Sequence, residues 1–227
     1  MPVTELAAFT TIAHNAVTPE LLAACVQAVE VQDEWCAANL TSTPLGHEAR
    51  GAALFQQVED PAVILMTAHW ASVAEHGLWI ASEENERVYP AVQEHIDNDN
   101  IRFFHVDGIE AFTIVEDDEG AVPVLRSPVV GIALFSVVKD RKDEFESVYA
   151  GVKNIKEEFA KPYVHRGGWR IEEVEGREDV EEYVVIGGWE SVKAAKEFSK
   201  SKDFDKYSDA IASVTLSVEV EHYKRLF

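Results

Sequence analysis

A short motif that occurs twice constrains the fold of this chain more than any other feature. The tetrapeptide WASV begins at Trp70 and the tetrapeptide WESV begins at Trp189, 119 positions later, and each follows an apolar run and precedes a helix-like segment. Ser82 and Ser201 each lie twelve residues after the tryptophan of their copy. Self-similarity at a fixed spacing indicates a duplicated structural unit. The sequence therefore predicts a tandem repeat within 227 residues.

The first copy has the predicted order strand, helix, hairpin, helix, strand. Thr18 followed by Pro19 is typical of a helix start, and the periodic apolar residues after it end near Ala38. Ser72 is a capping residue for a second helix, which Pro90 is expected to interrupt. Alternating or β-rich runs predict strands at 6–14, 52–58, 62–68 and 101–106.

The second copy repeats this order, and its last strand has the clearest pattern. Helices are predicted over 143–160 and from Ser191, and strands at 129–138, 169–174, 183–186 and 214–221. Alternation in the last strand predicts one buried apolar face and one face in water. The apolar residues are Val214, Leu216, Val218 and Val220, and the polar residues are Thr215, Ser217, Glu219 and Glu221.

The order β-α-β-β-α-β is that of a ferredoxin-like unit, an antiparallel sheet with two helices on one face. The other face of each sheet also needs cover. We therefore expect an α+β fold of two fused ferredoxin-like repeats packed sheet to sheet, forming a barrel within one chain. The predicted domains are 1–112 and 128–227, joined by an exposed acidic linker at 113–127.

Charge excludes two classes of partner. The chain has 41 acidic and 20 basic residues, and its net charge of −21 repels nucleic acid and anionic membrane surfaces. No apolar stretch approaches the roughly 20 residues of a membrane span. The N-terminus also lacks a basic start before an apolar block, so we expect a soluble cytoplasmic protein. Cys25 and Cys36, about 16 Å apart on one predicted helix, are too distant for a disulfide.

Residues around the motif resemble those of a known superfamily. They are Gly188 to Ser191 at a predicted strand end, Phe198, Ser201, Phe204 and Tyr207 along the next helix, and Trp70, Ser72 and Ser82 in the first copy. With them the chain is similar, over nearly its whole length, to the dimeric α/β-barrel superfamily and within it to antibiotic-biosynthesis-monooxygenase-like (ABM) domains. Members are commonly homodimers of one unit, so the resemblance implies that a fused pair carries its partner covalently.

The resemblance also implies a cavity between each sheet and its own helices. Relatives use this cavity for cofactor-free oxygenation of aromatic polyketides, for haem breakdown, or for acid/base cyclisation and other rearrangements. Relatives often have a histidine nine residues beyond the motif tryptophan, whereas this chain has Trp79 and Phe198 there. This departure argues against haem ligation through that position.

Three histidines are candidate catalytic residues, all in the first copy, which contains six of the eight histidines. His76 follows Ser72 on the predicted helix and can accept a proton near neutral pH. His69 precedes the motif tryptophan at a strand end, and His105 lies in the last strand of the copy. The alternatives are a surface position for His76, a solvent-facing His69 and a structural core role for His105.

Four aromatic residues are candidate substrate-binding residues. Trp70, Trp79 and Phe103 can wall a planar ligand, and Tyr89 can donate a phenol hydrogen bond. Aromatic side chains at such spacings are also typical of an ordinary core. The His105-Val106-Asp107 pattern is too common to indicate a metal, and the paired glycines before Trp169 and Trp189 lack the spacing of a phosphate loop. We predict no metal and no cofactor.

Together these features favour a cofactor-independent enzyme that acts on an apolar aromatic or polyketide-like small molecule. Oxygenation is the leading reaction because the resemblance implies it. Two alternatives stay open: an acid/base cyclase, dehydratase or isomerase on the same fold, and a non-catalytic small-molecule-binding or stress-associated barrel protein. The expected partners are the small-molecule substrate and a second copy of the chain in a homodimer.

Overall fold

The computed structural model describes residues 1–12, 16–41, 44–115 and 120–227. Its strands are β1 (Val3–Thr11), β2 (Ala53–Gln57), β3 (Val63–Trp70), β4 (Ile96–Asp107), β5 (Val129–Val138), β6 (His165–Trp169), β7 (Val180–Trp189) and β8 (Ser217–Arg225). Its helices are α1 (Pro19–Asn39), α2 (Val73–Ile80), α3 (Glu83–Gln93), α4 (Lys142–Ala160), α5 (Val192–Glu197) and α6 (Phe204–Ala212).

These strands form one antiparallel sheet in the order β4-β1-β3-β2-β8-β5-β7-β6. The first half of the chain, through β4, meets the second half, from β5 onward, where β2 pairs with β8 and Phe55 lies opposite Arg225. At the far edges Val106 bridges to Arg170, and the Ile171 N–H donates to the His105 carbonyl at 2.9 Å. The sheet therefore curls until its two edge strands meet.

The predicted α+β class is confirmed, with one difference in how the halves join. The sequence predicted two sheets packed face to face, whereas hydrogen bonds between β2 and β8 make one continuous sheet. The inside of the curl is filled from both halves by an apolar cluster that includes Leu65, Phe104, Leu134 and Ile186. Two further clusters pack the outer face against α1 to α3 in the first half and α4 to α6 in the second.

The repeated motif marks the same turn in both halves. Trp70 ends β3 opposite Val3, and Trp189 ends β7 opposite Val129. Two residues after each tryptophan a serine caps the next helix: Ser72 Oγ accepts from the N–H of residue 75 at 3.1 Å, and Ser191 Oγ from that of residue 194 at 3.0 Å. Such caps satisfy otherwise unpaired helix N–H groups, so the predicted helix starts are confirmed.

Several predicted boundaries differ from the structure. The helix after Ser72 does not break at Pro90, which lies inside α3; it breaks at Ala81, where Ser82 caps the next helix. The strand predicted at 169–174 is β6, which ends at Trp169. The strand predicted at 6–14 is β1, which ends at Thr11, and positions 13–15 lie outside the described residues.

The predicted burial of the last strand is wrong. Val214 is buried, but Leu216, Val218 and Val220 are 54%, 44% and 52% exposed, because no described helix covers this part of the sheet. On the opposite face Glu221 is not solvated as predicted, since it forms a bidentate ion pair with Arg102 of β4. The uncovered apolar face opens onto the cavity described below.

The acidic stretch 116–119 of the predicted linker lies outside the described residues. The segments on either side of this stretch were predicted to be exposed, but Phe112, Val124 and Leu125 are buried in the cluster inside the curled sheet. Among the described helices, none combines the length and the hydropathy that crossing a bilayer requires.

Candidate functional site

A large cavity lies in the second half, between the outer face of β5, β7 and β8 and the helices α4, α5 and α6. This second-half cavity has a volume of about 790 Å³. Its wall is mainly aromatic and aliphatic, and includes Trp189, Phe198, Phe204, Tyr207, Val218 and Val220. The polar side chains that reach it include Lys156 and His222. This is enough space for a ligand of several rings.

The sheet register explains why the cavity exists in the second half. In the first half Glu5 pairs with His105 across β1 and β4. In the second half the matching pair across β5 and β8 is Gly131 with His222. Four residues after each capping serine, the first half has His76 and the second half has an alanine. Two large polar side chains of the first half are thus replaced by a glycine and an alanine, both of which line the cavity.

In the first half the equivalent space is filled by a first-half network of Glu5, Trp70, His76, His105 and Glu172. The ring nitrogens His76 Nδ1 and His105 Nε2 lie 2.8 Å apart, and His76 Nε2 lies 3.4 Å from Glu5 Oε2. The Trp70 indole N–H donates to Glu5 Oε2 at 2.8 Å, and its ring stacks on His76. Burial lowers the pKa of His76, although Glu5 opposes the shift.

Each of the two strand histidines is held by a glutamate from the other half of the chain. His105 Nδ1 lies 2.6 Å from Glu172 Oε1, and the backbone N–H of His105 donates to Glu172 Oε2 at 2.7 Å. His222 Nδ1 lies 2.7 Å from Glu59 Oε1, and the backbone N–H of His222 donates to Glu59 Oε2 at 3.0 Å. Burial raises the pKa of each carboxyl, but hydrogen bonds from its histidine outweigh this and hold the pKa below the usual range.

These pairs fix the tautomer of His222. An ionised Glu59 only accepts hydrogen bonds, so Nδ1 of a neutral His222 carries the proton and Nε2 has the lone pair. The corresponding Nε2 of His105 is occupied by His76. In the second half Ala195 stands at that position, and in the described part of the chain no side chain bonds His222 Nε2. His222 therefore offers the cavity an oriented proton acceptor.

Besides His222, the polar side chains in the cavity wall include Lys156 of α4. Its Nζ lies 5.8 Å from the centre of the Trp189 ring, and no carboxylate among the described residues lies within ion-pair distance. Burial lowers the pKa of Lys156 to about 8. His165 lies nearby, with its ring edge-on to Trp189 at 5.0 Å. Burial, reinforced by the Lys156 charge, lowers the pKa of His165 to about 3, so this ring is neutral.

The structure brings two of the three predicted catalytic histidines together and separates the third. His76 and His105 are hydrogen bonded inside the first-half network and are 3% and 2% exposed. His69 faces elsewhere and accepts the Phe112 N–H through Nε2 at 3.0 Å. Burial, with a smaller effect of nearby arginines, lowers the pKa of His69 to about 3. His69 lines a separate pocket of about 250 Å³ with Trp70.

The predicted substrate-binding aromatics have different surroundings. Trp70 belongs to the first-half network, and Trp79 is buried against Trp35 with ring centres 5.6 Å apart. Tyr89 packs half-buried on the first-half core. Phe103 is 37% exposed and contacts the rings of His76 and His105. None of the four lines the second-half cavity.

Four residues of this candidate site escaped the sequence analysis: Glu59, Gly131, Lys156 and His222. A signal was present for His222, which occupies the last strand of its copy as His105 does in the first. Glu59 and its counterpart Glu172 each follow the second strand of their half, at positions where a charged residue usually indicates only a loop.

The described residues contain no group of three His, Cys, Asp or Glu side chains placed to hold a metal ion. Cys25 and Cys36 are both free and buried. Burial raises the pKa of Cys25 to about 12 and that of Cys36 to about 11, so both thiols are protonated at neutral pH.

No protein-family profile matches the chain, and no curated protein matches it. Solved structures match it over its full length. An anthrone oxidase-like protein is 14% identical with a TM-score of 0.60, covering 100% of this chain and 92% of that one. A candidate monooxygenase from Lactobacillus acidophilus NCFM is 11% identical with a TM-score of 0.55, covering 99% and 93%.

A heme-binding protein from Thermus thermophilus is 12% identical with a TM-score of 0.54, covering 100% of this chain and 92% of that one. At these identities the likeness concerns the fold. It shows that the fold is shared along the whole length of the chain.

Proposed function

We propose that the chain is a cofactor-independent oxygenase of an apolar aromatic small molecule, which binds in the second-half cavity. The observation that carries the proposal is an apolar space of about 790 Å³ whose wall includes one imidazole oriented by a carboxylate, His222 with Glu59. Small-molecule sites are typically concave and mostly apolar, with a few polar groups that fix orientation. The likeness to an anthrone oxidase-like fold favours oxygenation among the reactions such a site can perform.

His222 is the proposed general base. Its Nδ1 proton is directed to Glu59, which stabilises the imidazolium that forms when Nε2 accepts a proton. His105 of the first half has the same Glu–His contact, but its Nε2 is occupied by His76 and the space around it is filled. A catalytic role for His69, His76 and His105 remains a prediction, and the geometry favours His222.

In the proposed reaction, Nε2 removes a proton from a ring CH₂ group that is acidified by flanking aryl rings, and the resulting carbanion reacts with O₂. The carbon gains one oxygen atom as a carbonyl. The second oxygen atom leaves as water with the two hydrogens of the CH₂ group. All electrons come from the substrate, so the reaction needs no external reductant.

The direct test is oxygen uptake by the protein with anthrone, a compound with such a CH₂ group. We expect uptake above the uncatalysed rate with the wild type and a kcat at least about a hundredfold lower for His222→Ala. His76→Ala and His105→Ala, measured in parallel, are expected to retain kcat within about twofold. Loss of turnover in these two variants with retention in His222→Ala would place the chemistry in the first half.

The same experiment separates the alternatives. Substrate conversion that proceeds equally without oxygen would indicate an acid/base cyclase, dehydratase or isomerase. Binding of apolar ligands without any turnover, unaffected by His222→Ala, would indicate a non-catalytic or stress-associated binding protein.

Haem binding is a second candidate function, and one contact favours it. Imidazoles that ligate metals are usually held by a hydrogen bond from their other ring nitrogen, and Glu59 holds His222 in this way at the cavity wall. If haem binds, His222 would hold it through the imidazole, and haem would supply the oxygen chemistry. Haemin titration tests this: a Soret shift lost in His222→Ala supports it, and identical spectra of both proteins contradict it.

We also propose that the chain is a tandem of two ferredoxin-like, ABM-like units. Supporting this, each half has the strand order of a four-stranded unit with the second strand at the junction or edge, and each has the motif tryptophan and capping serine at the same turn. The domain limits 1–112 and 128–227, the cytoplasmic location and the homodimer remain predictions. Size-exclusion chromatography with light scattering tests the homodimer.

A further inference from the structure

Lys156 is a charged group in the second-half cavity that the proposed chemistry does not use. It projects from α4 into a wall that is otherwise largely apolar, beside Trp189. Other lysines of α4, such as Lys153, have a carboxylate partner, whereas Lys156 has none within ion-pair distance in the described residues. Lys156 is partly buried, and a charge that is partly removed from water without a counterion is costly, so a bound anion at this position would be stabilised.

The charged and titratable groups around Lys156 leave its ammonium without a counterion. Lys196, the other lysine that lines the cavity, is exposed. His165 is neutral and packs edge-on against the Trp189 ring. The carboxylate of Glu59, which also reaches the cavity, is engaged by His222. The chain as a whole carries −21 charges, so it repels anions at long range. Lys156 in the cavity wall therefore provides a local attraction for an anionic ligand that the rest of the chain does not provide.

We propose that the ligand of the second-half cavity is a ring-containing molecule with one negatively charged group, a carboxylate or an acidic phenol, which binds the Lys156 ammonium. The rings would contact the aromatic lining of Trp189, Phe198 and Tyr207, and Val218 and Val220 of β8 contribute apolar wall to the same cavity. This inference rests on the proposed function only in taking the same cavity as the binding site. It assigns Lys156 to ligand selection and leaves proton transfer to His222.

A matched pair of fluorescent probes tests the inference: anthracene-2-carboxylate and its neutral primary amide. We expect the wild type to bind the carboxylate at least about tenfold more tightly than the amide, a preference of about 1.4 kcal/mol. Lys156→Met is expected to abolish the preference while leaving the amide affinity within about twofold. Lys156→Arg, which keeps the charge, is expected to retain a preference, and Lys153→Met on the same helix is the matched control.

The outcomes distinguish this inference from the proposed function. Equal binding of both probes by the wild type, or an unchanged preference in a folded Lys156→Met protein, would overturn only the inference. Lys156→Gln provides a second uncharged variant if the methionine protein does not fold. Binding of neither probe by the wild type would overturn the cavity as a ligand site, and with it both proposals.

Discussion

Glu59 and His222 belong to opposite halves of the chain, and Glu59 Oε1 lies 2.7 Å from Nδ1 of the histidine ring. The same relationship joins Glu172 of the second half to His105 of the first, at 2.6 Å. The histidine on the last strand of each half is thus oriented by a carboxylate that the other half supplies. For both of these strand histidines the orienting carboxylate comes from the opposite half, which gives a physical reason for the halves to act as one structure.

The first prediction concerns Glu59→Gln, which keeps an oxygen acceptor but removes the charge that stabilises an imidazolium. We expect kcat for anthrone oxidation to fall at least about tenfold with little change in KM, because Glu59 acts on the reaction through His222 and does not itself react with the substrate. The matched control is Glu172→Gln, which makes the same change beside His105 and is expected to leave kcat within about twofold. Equal losses in both variants would show a general structural effect rather than positioning of His222.

The second prediction concerns Ala195→His, which places at the second-half position the residue that the first half has at His76. The imidazole would occupy space next to His222 and Trp189, as His76 does in the first-half network. We expect affinity for anthracene-2-carboxylate to fall at least about tenfold, because the ligand loses volume that it needs. Lys193→His, on the exposed side of the same helix, is the control. Unchanged affinity in Ala195→His would mean that ligands bind elsewhere.

Much of the fold could be predicted from local chemistry. Thr18, Ser72 and Ser191 cap helices as their residue types suggest, and β5 and the end of α4 lie where the pattern placed them. Burial was harder to predict, as Val218 and Val220 show. Alternation indicates which side chains share a face of a strand, but whether a helix covers that face depends on the path of the chain elsewhere.

The site could be predicted only in part, because its central feature is an absence of side chains. Gly131 and Ala195 have no chemistry of their own, so a search for reactive residues leads to the histidine-rich first half. There Glu5 and His76 fill the equivalent space and satisfy each other. Only the strand register, which pairs Gly131 with His222 as Glu5 pairs with His105, shows that the second half has the open position.

The third prediction concerns stability at acidic pH. Burial lowers the folded-state pKa of His69 to about 3, well below the ordinary value of about 6.5. Below pH 6.5 the unfolded chain therefore binds a proton that the folded chain does not, so the stability contributed above that pH is lost as pH falls towards 3. At about pH 5.5 the loss from His69 is roughly 1 kcal/mol.

Urea unfolding of the wild type and His69→Gln at several pH values measures this loss. Glutamine can still accept the Phe112 N–H but does not titrate, so the variant is expected to lose less stability between pH 7.5 and 5.5. Parallel losses in the two proteins would assign the acid sensitivity to other groups, such as His165, whose pKa burial also lowers to about 3.

The last prediction is a pH dependence of anion binding. Burial lowers the pKa of Lys156 to about 8 in the free protein, so the ammonium that holds the anion is lost as pH rises above that value. Between about pH 7 and pH 9 the affinity for anthracene-2-carboxylate is expected to fall about tenfold, whereas that for the amide stays constant. The other titratable groups that face this region are His165, His222, Glu59, Tyr207 and Lys196.

Two comparisons isolate Lys156 among these groups. Burial raises the pKa of Tyr207 to about 12, and His165 is already neutral, so neither changes charge between pH 7 and 9. Lys156→Met is expected to bind the carboxylate weakly and equally at both pH values. Lys156→Arg is expected to keep its affinity at pH 9, because a guanidinium does not titrate there. A tenfold fall that persists in Lys156→Met would mean that a different cation holds the anion.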